Sequence, residues 1–358
     1  MKRLLPCLLS LTLIAGCAAG GTATTTPAPE HPADEVVVVM GPTSEPEAGF
    51  DPAFGWGAGE HVHEPLIQST LTVTNADLTI GYDLATDMSV SDDGLTWTVT
   101  IRDDVSFTDG EPLTAEDVAF TYNTVKATSS VNDFTMLSSA EAVDDTTVLF
   151  HMTTPYSIWP YTMAIVGIVP EHAYDSATYG SNPIGSGRYT LVQWDRGEQI
   201  ILEANPDYYG EAPKMKKVTI LFMEEDAAFL AVQAGQADLA YTSAVYADQS
   251  PAGYSLLSCE TVDNRGINLP TEGNPVTADL AVRRAINIGV DREEMIQNVL
   301  NGYGTPAYSV CDKLPWYNPA SEVAYDPEEA VRLLEEAGWV LGDDGVRVKD
   351  GVRAELNI

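Results

Sequence analysis

Trp97-Thr98-Val99-Thr100-Ile101-Arg102 alternates apolar and polar side chains with a period of two, the pattern of a strand with one buried and one wet face. The turn residues Thr108-Asp109-Gly110-Glu111-Pro112 end this stretch, and Thr114 follows as an N-cap with Asp117 at N3. The helix so started carries Val118, Tyr122 and Val125 at helical spacing. A strand with one apolar face and a helix with one apolar stripe bury both by packing together. The chain is thereby constrained to a layered α/β architecture.

The rest of the sequence extends that pattern. Glu35-Val36-Val37-Val38-Val39-Met40 reads as a buried strand, and Val148 to Met152 and Val166 to Val169 as further ones. A second strand-rich stretch comprises residues 188–194, 199–204 and 217–222. Asp226 is expected to start a helix over residues 227–234, ended by Gly235, with a strand at residues 237–241. Three more helix starts stand at Thr277, at Asp291 with Glu294, and at Asp326 with Pro327 at N1 and Glu329 at N3. The last of these helices should bury Ala330, Leu333, Leu334 and Ala337 and stop at Gly338. Trp97, Trp194 and Trp339 fit core positions in these patterns. There is no internal repeat. The expectation is α/β with mixed strand order, built as lobes, and the apolar strand pattern at residues 354–358 suggests a fragment.

Lys2 and Arg3 precede a short apolar run from Leu4 to Gly16, which ends Ile14-Ala15-Gly16-Cys17. This describes a signal peptide over residues 1–16, too short for a bilayer span of about 20 residues. The ending resembles a bacterial lipobox, which implies lipid on Cys17. Residues 17–34, rich in Ala, Thr, Gly and Pro, then form a flexible linker. Nothing after Gly16 is long or apolar enough to cross a membrane, so the mature body is expected to be soluble. The formal net charge of −35 excludes a nucleic-acid partner, since phosphates require a basic face. Cys7 leaves with the signal; whether Cys259 and Cys311 pair is left open by spacing alone.

Signatures of catalysis are absent: no nucleophile elbow, no H-E-x-x-H, no Walker loop and no dinucleotide fingerprint. Gly185-Ser186-Gly187 reads as a glycine turn ahead of a strand rather than as a nucleophile. No enzymatic activity and no cofactor are expected. His61-Val62-His63-Glu64 is the one metal-like cluster, with ligand types suited to nickel or zinc, against the alternative of a polar loop or a helix start.

A series of segments resembles the bacterial extracellular solute-binding proteins of family 5, which serve oligopeptide, dipeptide and nickel ABC transporters. The longest match runs from Ser91-Asp92-Asp93-Gly94-Leu95-Thr96-Trp97 through Ile101 to Leu113 and on into Thr114-Ala115-Glu116-Asp117-Val118. In the family's order stand also Glu64-Pro65-Leu66, residues 183–189, Asn205-Pro206-Asp207-Tyr208-Tyr209-Gly210, Gly235-Gln236-Ala237-Asp238, residues 281–287 and residues 333–339.

The resemblance implies a type II periplasmic-binding-protein-like, two-lobed clamshell with an extra subdomain and an incomplete second lobe. Residues 35–59 and 182–263 would form lobe I, 60–181 the subdomain, and 264–358 the start of lobe II. It further implies a monomeric protein on the extracytoplasmic face of the membrane. Its solute would be a di- or oligopeptide, or alternatively a nickel or metallophore chelate bound with His61 and His63. The solute would be passed to an ABC permease and ATPase complex. Candidate ligand neighbours by position are Phe50, Asp51, Trp56, His61 and His63 where lobe I meets the subdomain. Asp263, Asn264, Arg265 and Asn268 lie on the crossover. Arg265 would pair a substrate carboxylate, Asp263 an amine, and Asn268 main chain.

Overall fold

The computed structural model describes residues 31–54, 65–129, 132–259, 261–314 and 316–356. The signal peptide, Cys17 and its linker up to residue 30, and Trp56, His61 and His63 lie outside the described residues. The chain enters through β1 (Glu35–Met40), then builds β2 (Thr72–Thr74), β3 (Ile80–Tyr82), β4 (Ala85–Val90), β5 (Thr96–Ile101), α1 (Ala115–Thr128), β6 (Leu137–Asp144), β7 (Thr147–Met152) and the short α2 (Trp159–Thr162). It returns through β8 (Tyr189–Asp195), β9 (Gln199–Ala204), β10 (Lys217–Phe222), α3 (Glu225–Gln233), β11 (Leu239–Ala240) and α4 (Ala244–Ala247). After a long crossing come α5 (Leu280–Gly289), α6 (Arg292–Val299), α7 (Pro327–Glu336), β12 (Val340–Leu341), β13 (Arg347–Lys349) and β14 (Val352–Arg353). Among the described residues no helix is long and apolar enough to cross a membrane.

The strand–turn–helix unit forms as its pattern dictates. In β5, Trp97, Val99 and Ile101 point inward while Thr96, Thr98 and Thr100 stay half-buried. Partner strands give the antiparallel order β4-β5-β7-β6. Asp117 accepts the Thr114 backbone N–H at 2.9 Å, which closes the helix start. Val118, Tyr122 and Val125 face the sheet, where Tyr122 meets Phe150 edge-on at 4.8 Å and Trp159 at 5.6 Å. Each such side chain contributes about 1.5–3 kcal/mol on burial, and among the described residues this layer holds the largest buried apolar cluster.

The second sheet has the order β11-β1-β10-β9-β8. β1 runs parallel to both β10 and β11, whereas β9 is antiparallel to both of its neighbours. Between β10 and β11, α3 makes the crossover and packs Ala228, Ala231 and Val232 around Val39. Only Val39 of the valine run is fully buried; Val36, Val37 and Val38 are half-buried. Residues 31–34 are tied to the edge of this sheet: His31 lies 2.8 Å from Asp238, and Asp34 pairs with Lys216 at 2.6 Å.

The long excursion between β1 and β8 closes on itself at Gly185 and Gly187. The Gly187 N–H donates to the Ile67 carbonyl at 2.7 Å, and the Tyr189 N–H to Leu66 at 2.9 Å. A Cβ on Gly185 would lie 2.0 Å from the Ile67 oxygen, so the backbones meet only without side chains. Ser186 is fully buried between them, which rules out a nucleophile open to a substrate.

Several boundaries differ from the sequence expectations. Val166–Val169 is buried but forms no strand, because the Ile168 N–H bonds Ser69 and the Val169 N–H bonds the Thr121 hydroxyl rather than a ladder partner. α3 begins one residue before Asp226, behind Glu224 as N-cap. α5 is capped by Asp279, not Thr277, since the Asp279 carboxylate reaches the Ala281 N–H at 2.9 Å. Trp194 is half-buried; its indole donates to Glu45 at 2.7 Å and Arg196 covers its ring at 4.1 Å. In α7 only Ala330 is fully buried, with Leu333, Leu334 and Ala337 half-buried. Cys259 and Cys311 are both free thiols.

Candidate functional site

The candidate residues fall on two different kinds of backbone. Phe50 and Asp51 follow β1 and are held tightly. The Phe50 N–H donates to Gly180 at 2.8 Å, its carbonyl accepts from Gln68 Nε2 at 2.7 Å, and its ring meets Trp194 edge-on at 5.4 Å. Asp51 is 2 % exposed, and both its oxygens are engaged: Oδ1 accepts the Ala53 N–H and Oδ2 the Tyr174 hydroxyl, each at 2.9 Å. Burial pushes the Asp51 carboxyl above its ordinary value, against the opposing pull of those two donors. The Tyr174 and Tyr179 rings lie tilted against each other at 5.3 Å, and Tyr179 donates to the Ile184 carbonyl at 2.7 Å. This knot fixes where the chain leaves and re-enters the five-stranded sheet.

Asp263, Asn264, Arg265 and Asn268 occupy the crossing between α4 and α5, whose described residues carry no helix or ladder up to Leu280. Here the chain is irregular and largely exposed. Arg265 and Asp263 pair with each other at 2.9 Å, with side chains 93 % and 60 % exposed. A pair this exposed is worth about 0–1 kcal/mol. The structure thus brings Asp263 and Arg265 together on open backbone and places Phe50 and Asp51 within a closed network. Among the described residues no group of three His, Cys, Asp or Glu side chains converges as a metal site.

Residues passed over in the sequence tie the crossing's two ends. Glu225, in the first turn of α3, accepts from the Thr242 hydroxyl at 3.0 Å, the Ser243 hydroxyl at 2.9 Å and the Ser243 N–H. Burial works to raise the Glu225 carboxyl, and these donors outweigh it, leaving it below its ordinary value. Beyond the crossing, Asn301 donates to the Ala244 carbonyl at 2.9 Å and the Tyr303 hydroxyl to Asp248 at 2.8 Å. The Asn301-Gly302 dipeptide is a turn signal that marks this spot in the sequence. Its partners, distant in sequence, carry no such mark.

Comparison with known proteins agrees with this architecture. Residues 79–358 match the family model of bacterial extracellular solute-binding proteins, family 5. Protein XP55 of Streptomyces lividans is 35% identical over 340 residues, covering 90% of this chain and 60% of its own length. The chain thus spans about three fifths of the length of the curated relatives it matches. Among solved structures, NikZ from Campylobacter jejuni in complex with Ni(L-His) superposes with a TM-score of 0.79 at 27% identity, covering 90% of this chain and 67% of that one. The oligopeptide-binding protein AppA from Bacillus subtilis, in complex with a nonapeptide, gives 0.70 at 28% identity, covering 89% and 67%. The sheets and helices described above are therefore those of the periplasmic binding proteins of this family. The chain belongs to the bacterial extracellular solute-binding proteins of family 5.

Proposed function

We propose that this protein captures di- or oligopeptides outside the cytoplasm and hands them to an ABC permease and ATPase complex, held to the membrane by lipid on Cys17. The family match over residues 79–358 carries this reading. AppA, 28% identical over 345 residues, binds oligopeptides by name and a nonapeptide in its solved structure. Under this reading the five-stranded sheet and its return (35–59 and 182–263) act as lobe I, residues 60–181 as the added subdomain, and residues from 264 as part of lobe II. The protein works as a monomer.

The chemistry of capture then rests on the crossing. Arg265 and Asp263 trade their weak mutual pair for a peptide's carboxylate and amine, and Asn264 and Asn268 offer side-chain amides to its main chain. Closure removes water, and the same charges interact more strongly in the lower dielectric that results. Phe50 and Asp51 would serve by shaping the wall rather than by touching solute through the Asp51 carboxylate. Trp56, His61 and His63 stand in the proposal by their place in the chain.

A second reading is favoured by the NikZ likeness: a nickel chelate as solute, with His61 and His63 on the metal. A thermal melt separates the two. A ligand at one hundred times its Kd stabilises the folded state by about 2.7 kcal/mol. Mixed short peptides should raise the midpoint while Ni²⁺ with histidine leaves it unchanged. A shift with nickel–histidine alone, lost in His61→Ala/His63→Ala, reverses the assignment.

A further inference from the structure

We propose that His172 is a proton-operated clasp on the turn at residues 107–112, firm when its imidazole is charged and slack when it is neutral. That turn touches the glycine on which the excursion between β1 and β8 closes, so the clasp sets how firmly this contact is held. The inference is independent of any solute.

The turn is wound on itself. The Phe107 N–H donates to the Glu111 carbonyl at 2.8 Å and the Gly110 N–H to the Phe107 carbonyl at 2.9 Å, with Gly110 at a φ of +93°. Asp109 Oδ1 accepts the Glu111 N–H at 3.2 Å, and Oδ2 lies 2.8 Å from His172 Nε2. From the same turn the Thr108 N–H donates to the carbonyl of buried Gly185 at 2.9 Å. The turn therefore bridges His172 and the closing glycine.

The backbone that carries His172 is fastened on either side of it. The Glu171 N–H donates to Asp117 Oδ1 at the start of α1, and the Tyr174 hydroxyl to buried Asp51, each at 2.9 Å. The Phe107 ring meets the imidazole edge-on at 6.0 Å. Carboxylates face the imidazole from each element packed against it: Asp109 and Glu111 from the turn and Asp117 from α1, with Glu171 preceding it on its own short turn. The Asp109 hydrogen bond, and then the charges of Asp109, Asp117 and Glu111, hold the imidazole above its ordinary value against a small opposing effect of burial. A histidine so raised contributes its full stabilisation below the unfolded value of about 6.5 and loses it as pH climbs through the folded value. Among the described hydrogen bonds of this turn, this is the one made by a group that exchanges its proton near neutrality.

The test reads the Thr108 amide by native-state hydrogen exchange in the full 358-residue chain, each rate corrected for the intrinsic effect of pH. The His172 and Asp109 side chains are 41 % and 29 % exposed, so the change is modest. Protection of Thr108 should fall roughly 2- to 5-fold between pH 5.5 and pH 8.5 while that of Val148 in β7 stays level. His172→Gln keeps an N–H donor without the charge, and Asp109→Asn keeps the acceptor for Glu111. Either should hold Thr108 near the wild-type alkaline level at both pH values. Equal Thr108 protection at the two pH values in the wild type overturns the clasp, as does a fall that Val148 shares or that His172→Gln retains. The imidazole proton resonances of His172 give a second reading on the unaltered chain. A titration midpoint above about 6.5 supports the clasp, and one at or below it overturns it.

Discussion

The Tyr209 hydroxyl donates to Asp83 Oδ1 at 2.6 Å, which fastens the loop after β9 to the segment between β3 and β4. Arg102 lies 4.5 Å over the Tyr209 ring, so two residues of the four-stranded-sheet unit hold one from the returning chain. Burial raises the Asp83 carboxyl above its ordinary value, and the Tyr209 hydroxyl, the Thr70 N–H and the nearby Arg188 and Arg102 offset that only in part. A raised carboxyl contributes stability below the unfolded value of about 3.9 and loses it as pH climbs through the folded value. Tyr209→Phe removes one of the offsetting donors. It should cost about 1–3 kcal/mol in urea unfolding, with a larger deficit at pH 7 than at pH 4.

Asp279 organises the last third of the chain. Its Oδ1 caps α5 at the Ala281 N–H, while its Oδ2 takes the Trp339 indole at 3.0 Å and the Lys349 ammonium at 2.7 Å. The Lys349 bond, opposed by burial, leaves the carboxyl below its ordinary value. Its stabilising effect is therefore complete above pH 4 and fades as pH falls through that lowered value. Asp279→Ala should destabilise by about 2–4 kcal/mol through the lost cap and charged bonds. Asp279→Asn keeps the cap and should cost less. Hydrogen exchange across α5 and α7 reads both.

Gly185→Ala tests the closure of the excursion between β1 and β8. The added methyl meets the Ile67 carbonyl at 2.0 Å, so one backbone has to move. We expect a loss of about 1–3 kcal/mol, seen as a lower midpoint in denaturant. An unchanged midpoint would mean that Leu66 and Ile67 do not seat on Gly187 and Tyr189.

Arg265→Ala separates binding from stability. The side chain is 93 % exposed, so the melting midpoint should not move. Affinity for peptides with a free carboxyl terminus should fall, whereas amidated peptides should be bound equally by both proteins. Calorimetric titration of the two peptide forms gives the answer.

Local patterns were the most legible part of the sequence. The period-two β5, the Thr114–Asp117 helix start and the Asp291 and Asp326 caps all depend on neighbours within four residues, and each forms as expected. Contacts between distant residues left no such trace. The Val166–Val169 backbone is claimed by Ser69 and Thr121, so an apolar run that reads as a strand never joins a ladder. Trp194 stays near solvent because Glu45, far off in sequence, holds its indole. The candidate site divides the same way. The turn chemistry at Asn301-Gly302 is visible in the sequence, but the carbonyl of Ala244 and the carboxylate of Asp248 that receive it are chosen only by the fold.

The central claim is peptide capture, and it is tested most directly by the melt of the chain with and without mixed short peptides, beside Ni²⁺ with histidine. A cooperative transition that moves upward by several degrees with peptides alone is the predicted result. A transition that ignores peptides and moves with nickel–histidine would contradict it.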